Sequence, residues 1–156
     1  MYWFTGDEHY FHENIIEYSK RPYGDVHEMN EALIANHNSV VGKTDIVIHV
    51  GDFTLKSKPV AETIIKRLKG QHVFLKGSHD RWLKNGHEIW EKMVDDQYIV
   101  CCHYAMRRWP RSHYESWQLY GHSHGKLVPF VNQWDVGVDN NNYFPVSREQ
   151  LWDLIN

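Results

Sequence analysis

Short runs of β-branched and aromatic residues alternate along this chain with segments of helical periodicity. That alternation confines the fold to an α/β layer architecture with at least some parallel strands. The strand candidates are 2–5 (YWFT), 45–50 (DIVIHV), 72–76 (HVFLK), 98–102 (YIVCC) and 117–120 (WQLY), with 133–138 a further one. The helix candidates begin with 14–20, stopped by Arg21-Pro22, and 26–41, where Met29, Leu33, Ile34, His37 and Val41 share one face before Gly42. They continue with 59–69, opened by Pro59 and closed by Gly70, and 148–155, with Ser147 placed as its cap. No repeat, low-complexity tract or linker interrupts the 156 residues, so 1–156 is read as a single domain able to bury a core without staples.

In open α/β sheets, ligands bind beyond the carboxyl ends of the strands. Five strand candidates in a row end in aspartate or histidine, four of them just after a glycine. Gly6-Asp7-Glu8-His9 follows the first, Gly51-Asp52 the second and Gly77-Ser78-His79-Asp80 the third. His103 follows the fourth, and Gly121-His122-Ser123-His124 the fifth. Glycine lets the chain turn sharply there and lets backbone approach a ligand. A real sheet would bring all these side chains to one rim.

The chain carries 12 histidines, and histidine is the commonest metal ligand. The rim set holds the carboxylates of Asp7 and Asp52, the imidazoles of His9, His79, His103, His122 and His124, and no thiolate. Such donors suit Mn, Fe, Zn, Co or Ni and are too nitrogen-rich for calcium. They exceed the needs of one tetrahedral ion, whereas two divalent cations about 3.5–4 Å apart, sharing a carboxylate, would use them all. The net positive charge of that pair would attract a phosphate anion. Its bound water, with a pKa lowered to roughly 7, would supply a nucleophile.

In chain order these segments resemble the signature of the calcineurin-like metallophosphoesterases: Asp-x-His, Gly-Asp, Gly-Asn-His-Asp/Glu, an isolated His, and Gly-His-x-His. The resemblance spans residues 1 to about 140. It looks closest to the small, cap-less bacterial and phage phosphoesterases, to which HENIIEYSKRPY, HEMNEALIANHNSVV and HYAMRRW are similar. It implies a four-layer α/β/β/α sandwich with two mixed sheets. It implies one metal held by Asp7, His9 and His124, a bridging Asp52, and a second metal held by His103, His122 and an oxygen at Ser78. Manganese is the first expectation for both cations. The resemblance further implies phosphoester hydrolysis by a metal-activated hydroxide, with His79 protonating the leaving oxygen and Asp80 holding its imidazole.

Arg107 and Trp109, just after His103, are candidate substrate contacts, a guanidinium for phosphate and an indole for a base; the plainer reading is a solvated basic loop. A chain this short has no room for an elaborate cap, and an open site favours small phosphodiesters or nucleotides. The net charge of -3 argues against a stable nucleic-acid complex and against a structure-directed nuclease. No apolar run reaches the roughly 18 residues of a membrane span. MYWFTGDEHY does not read as a signal peptide, so a cytoplasmic protein, with homo-oligomers allowed, is expected. Cys101 and Cys102 read as core thiols, Glu8 as solvent-facing, and 135–139 (DVGVD) as mainly structural. Of the remaining histidines, His12 stands out by its closeness to the first motif. A reading from another class is a phosphoesterase-fold binding module with weakened catalysis, prompted by Ser78.

Ser78 stands where the family offers an asparagine carbonyl, and a hydroxyl is a shorter and weaker neutral ligand. Ser78→Asn is expected to raise affinity for the second cation and to raise turnover. Calorimetric titration of both forms with Mn²⁺ checks this, and equal stoichiometry and affinity would remove the idea.

Overall fold

Alternation along short strands decides which face each one buries. The computed structural model describes residues 1–156. Its elements are β1 (Tyr2–Thr5), α1 (Asn14–Tyr18), α2 (Val26–Val40), β2 (Ile46–His49), α3 (Lys58–Ile65), β3 (Gln71–Phe74), β4 (Ile89–Val94), β5 (Gln97–Cys102), β6 (Trp117–Tyr120), β7 (Gln133–Asp135), β8 (Val146–Ser147) and α4 (Arg148–Ile155). Single 3-10 turns occupy Ser112–Tyr114 and Val138–Asn140.

The strands form two mixed four-stranded sheets, ordered β3-β2-β1-β8 and β4-β5-β6-β7. In the first, β1, β2 and β3 run parallel and β8 is antiparallel at the edge. In the second, β4 and β5 are antiparallel while β5, β6 and β7 run parallel. The register pairs Thr5 with His49 and His49 with Phe74, so the three parallel strands end level. A parallel bridge between Gly6 and Gly137 joins the two sheets at the rim where the strands end.

The main core lies between the sheets, where Phe4, Ile48 and Leu75 meet Ile99, Cys101, Trp117 and Leu119, with Leu151 of α4 packed in. The helices α1, α2 and α3 cover the other face of the first sheet through Ile15, Met29, Leu33, Ile34, Ala61 and Ile64. The outer face of the second sheet is in part polar. Its buried Gln118 and Gln133 bind each other and the backbone of Met106, which roofs the sheet with the following loop. The result is an α/β sandwich.

The helix expected at 59–69 is regular only to Ile65, because Arg67 and Leu68 donate to carbonyls three residues back and tighten the last turn. The strand expected at 133–138 stops at Asp135, whose carboxylate accepts the Gly137 N–H and turns the chain away. Sequence reading missed β4 because its outer face carries exposed Ile89 and Met93, so IWEKMV does not alternate. At two residues, β8 is too short to leave a pattern.

Ser147 caps α4 through a complete capping box with Gln150. Ser147→Ala is expected to cost about 0.5–2 kcal/mol, and the buried Leu119→Ala about 2–5 kcal/mol. Urea unfolding measures both.

Candidate metal centre

Level strand ends deliver the motif loops to one rim, and the chain then turns back under strain. Asp7, His9, Asp52, His122 and His124 all have left-handed backbone, with φ of 53°, 52°, 57°, 64° and 48°. Each such residue costs on the order of 1–3 kcal/mol. Glycine makes the crowding tolerable: a Cβ on Gly77 would lie 2.3 Å from the Asp52 backbone nitrogen and carboxylate.

Two triads result, Asp7/His9/His124 and Asp52/His103/His122, each with its ligand atoms within 4.8 Å of one another. Asp52 Oδ2 lies between them, 3.3 Å from His103 Nε2 and 3.7 Å from His9 Nε2. Buried polar atoms normally find partners, yet Asp7 Oδ2, His9 Nε2 and His103 Nε2 have none. Unpartnered carboxylate and imidazole atoms converging from both sheets fit divalent cations, with mixed N/O donors and no thiolate.

On three of the four histidines the other ring nitrogen is occupied. His103 Nδ1 donates to the Val50 carbonyl at 3.0 Å, and His124 Nδ1 donates to Asp139 at 2.6 Å. Those bonds turn each Nε2 lone pair toward the site. His12, at 3.1 Å, occupies Nδ1 of His9.

The electrostatics are those of a buried cluster. Burial pushes Asp7 up to about 7, despite the charges of His124 and His103, and pushes His9 down to about 3. Burial also acts upward on Asp52, but the charge of the His103 ring 3.3 Å away and the His79 backbone N–H hold it below the usual carboxylate range. Burial acts downward on His103 and His124, and their carboxylate partners outweigh it to raise both.

Sequence reading missed two residues. Arg21 has a fully buried side chain and uses all five of its donors: Nε and one NH2 hydrogen on Asp139, and the others on the carbonyls of Asp7 and Glu8 and on the Met29 sulfur. It fixes the strained first loop and Asp139, and through Asp139 it fixes His124. A lone arginine beside a proline gave no signal of this, and Asp139 lay in a segment read as mainly structural.

Other expectations change. Asp80 does not hold the His79 ring, because its carboxylate accepts from the N–H groups of Asp52, Phe53, Thr54 and Gly77 and from the Trp82 indole. It knits the second motif to the third. Glu8 is buried, not solvent-facing; it binds His49 Nδ1 at 2.5 Å, and burial raises it to about 8. The exposed Ser78 hydroxyl lies 3.2 and 3.4 Å from the Asp52 carboxylate oxygens. His79 is half-buried at the rim, its N–H on Asp52 and its ring 5.5 Å from that of His9. Arg107 is exposed, and the Trp109 indole donates within its own loop to Ser116; no hydrogen bond, ion pair or ring contact links either to the triads. The aromatic beside the site is Tyr104, 4.9 Å from the rings of both His103 and His122.

Asp139→Asn is expected to weaken cation binding about 10–100-fold and, by leaving Arg21 without its buried counter-charge, to lower stability by about 3–5 kcal/mol. Calorimetry with Mn²⁺ and urea unfolding read the two effects separately.

No protein-family model matches the chain. The uncharacterized protein MJ1445 of Methanocaldococcus jannaschii is 32% identical, over 96% of this chain and 88% of its own length. The crystal structure of AQ665, a protein of unknown function from Aquifex aeolicus, matches with a TM-score of 0.77 at 22% identity and covers 99% of both chains. A single mutant of Vps29 from Entamoeba histolytica matches with a TM-score of 0.50 at 16% identity, over 79% of this chain and 64% of that one. Vps29 of Chaetomium thermophilum gives 0.50 at 10% identity, over 79% and 61%. The chain belongs to one family with the Methanocaldococcus protein and has the calcineurin-like metallophosphoesterase fold.

Proposed function

We propose that the protein is a dinuclear metal-dependent phosphodiesterase acting on small phosphodiesters or nucleotides. The observation that carries this reading is the convergence of two triads on unpartnered buried atoms, with Asp52 between them and His79 at their rim. Asp7, His9 and His124 would hold one cation and His103 and His122 the other, with Asp52 shared. When bound, such a pair supplies Lewis acidity toward phosphoryl oxygens and a water acidified to roughly pKa 7.

The chain's own residues supply the rest. His79, whose backbone N–H lies 2.9 Å from Asp52 Oδ1, would donate the proton to the leaving oxygen. Tyr104 offers an exposed ring beside the second triad. A pocket of about 220 Å³ bounded by Tyr104, His103, Lys76 and Ile89 opens there, a size suited to a small ester group. The alternative, a binding module, draws support from Ser78, whose hydroxyl lies on Asp52.

Protein loaded with Mn²⁺ is expected to hydrolyse bis(p-nitrophenyl) phosphate faster than p-nitrophenyl phosphate; turnover of the monoester alone would overturn the diester preference, and turnover of neither favours the module. His79→Ala should cost about 10²–10⁴-fold with an alkoxide leaving group and far less with p-nitrophenolate, whose oxygen needs no proton. Burial raises Asp7, so as pH falls it takes up a proton in competition with the cation; activity should fall on acidification, and added Mn²⁺ should move that fall to lower pH.

A further inference from the structure

Two segments leave the metal-bearing loops side by side. Residues 55–58 continue from the Asp52 turn, and 81–85 continue from His79 and Asp80. The Asp80 carboxylate locks the roots of both, accepting from the backbone of Asp52, Phe53 and Thr54 and from the Trp82 indole. Between the segments lies a groove of about 710 Å³, within the roughly 300–1,000 Å³ of ligand sites. Arg81 follows His79 by two residues and Leu55 follows Asp52 by three, so its near end lies no more than about 10 Å along the chain from the site.

The groove is cationic in a chain whose net charge is -3. Lys56, Lys58, Arg81 and Lys84 line it, all exposed, with no acidic residue among the lining. None of the four takes part in the ion pairs of the molecule. The α3 helix starts in the same wall without a side-chain cap, so its first-turn N–H groups add positive potential. Leu55, Leu83 and Trp82 place apolar surface between these charges.

One scissile phosphodiester carries a single negative charge, which four free cations outnumber. Bare polyphosphate would gain nothing from the apolar floor, whereas sugar and base faces would. We propose that this groove binds a single-stranded oligonucleotide that extends from the metal centre, its phosphates on the four cations and its nucleosides on Leu55 and Leu83. The overall acidity that speaks against a stable nucleic-acid complex is an average over the whole chain, and a local grip of this kind is weak and salt-sensitive. That hydrolysis follows binding rests on the phosphodiesterase reading; binding itself does not.

The test uses Mn²⁺-loaded His79→Ala protein and fluorescein-labelled hexathymidylate, followed by anisotropy. If each cation neutralises one phosphate, log Kobs should fall with log salt at a slope of about -2.8. Lys56→Glu combined with Arg81→Glu should at least halve that slope and weaken binding by about ten-fold or more. Unchanged affinity in the double variant would overturn the groove. Tripolyphosphate displacing the label as well as unlabelled hexathymidylate does would overturn the nucleotide assignment. With His79 restored, the double variant should lose more activity on hexathymidylate than on bis(p-nitrophenyl) phosphate, and equal losses would count against the groove. If the unmodified protein hydrolyses neither substrate, the phosphodiesterase reading fails, and the anisotropy arm still decides the site.

Discussion

The site depends on left-handed backbone that buried polar groups hold in place. Five of the six proposed ligands have positive φ, a combined strain of about 5–15 kcal/mol at the usual cost per residue. Two side chains carry much of the compensation. Arg21 reaches two carbonyls of the first loop, and Asp80 gathers five donors from the second and third. Neither touches a candidate cation ligand's side chain. Both are buried charges, so truncating either would leave unpaired groups in a low dielectric as well as slacken the turns.

That division of labour separates chemistry from support. The ligands show the residue types that bind cations, while the groups fixing their geometry are Arg21 and Asp139, in ordinary-looking positions, and His12 and Asp80, beside the motifs. Arg21 and Asp139 satisfy each other, and Asp139 has one oxygen left over for the His124 ring. The orientation of a ligand from one sheet is thereby tied to the backbone of a loop from the other.

Much of this was legible in the sequence for a physical reason: strand ends are where α/β folds place ligands, and glycine followed by aspartate or histidine marks them. Both triads follow the order of those motifs. The Asp80 contacts were not legible, because an aspartate after histidine suggests a ring partner, and only the folded chain shows four backbone N–H groups competing for it. Glu8 misled for a similar reason. A charged residue between two ligands suggests solvent, yet the loop after β1 buries it against His49. The strand β4 was hidden by apolar residues on its exposed face, a pattern edge strands share with loops.

Each triad draws ligands from both sheets, Asp7, His9 and Asp52 from one side and His103, His122 and His124 from the other. Cations held there would therefore rivet the two sheets together at one end of the sandwich. A hundredfold excess of cation over its dissociation constant adds about 2.7 kcal/mol per occupied site. Occupancy of the two triads would then register as resistance to unfolding, quite apart from any turnover.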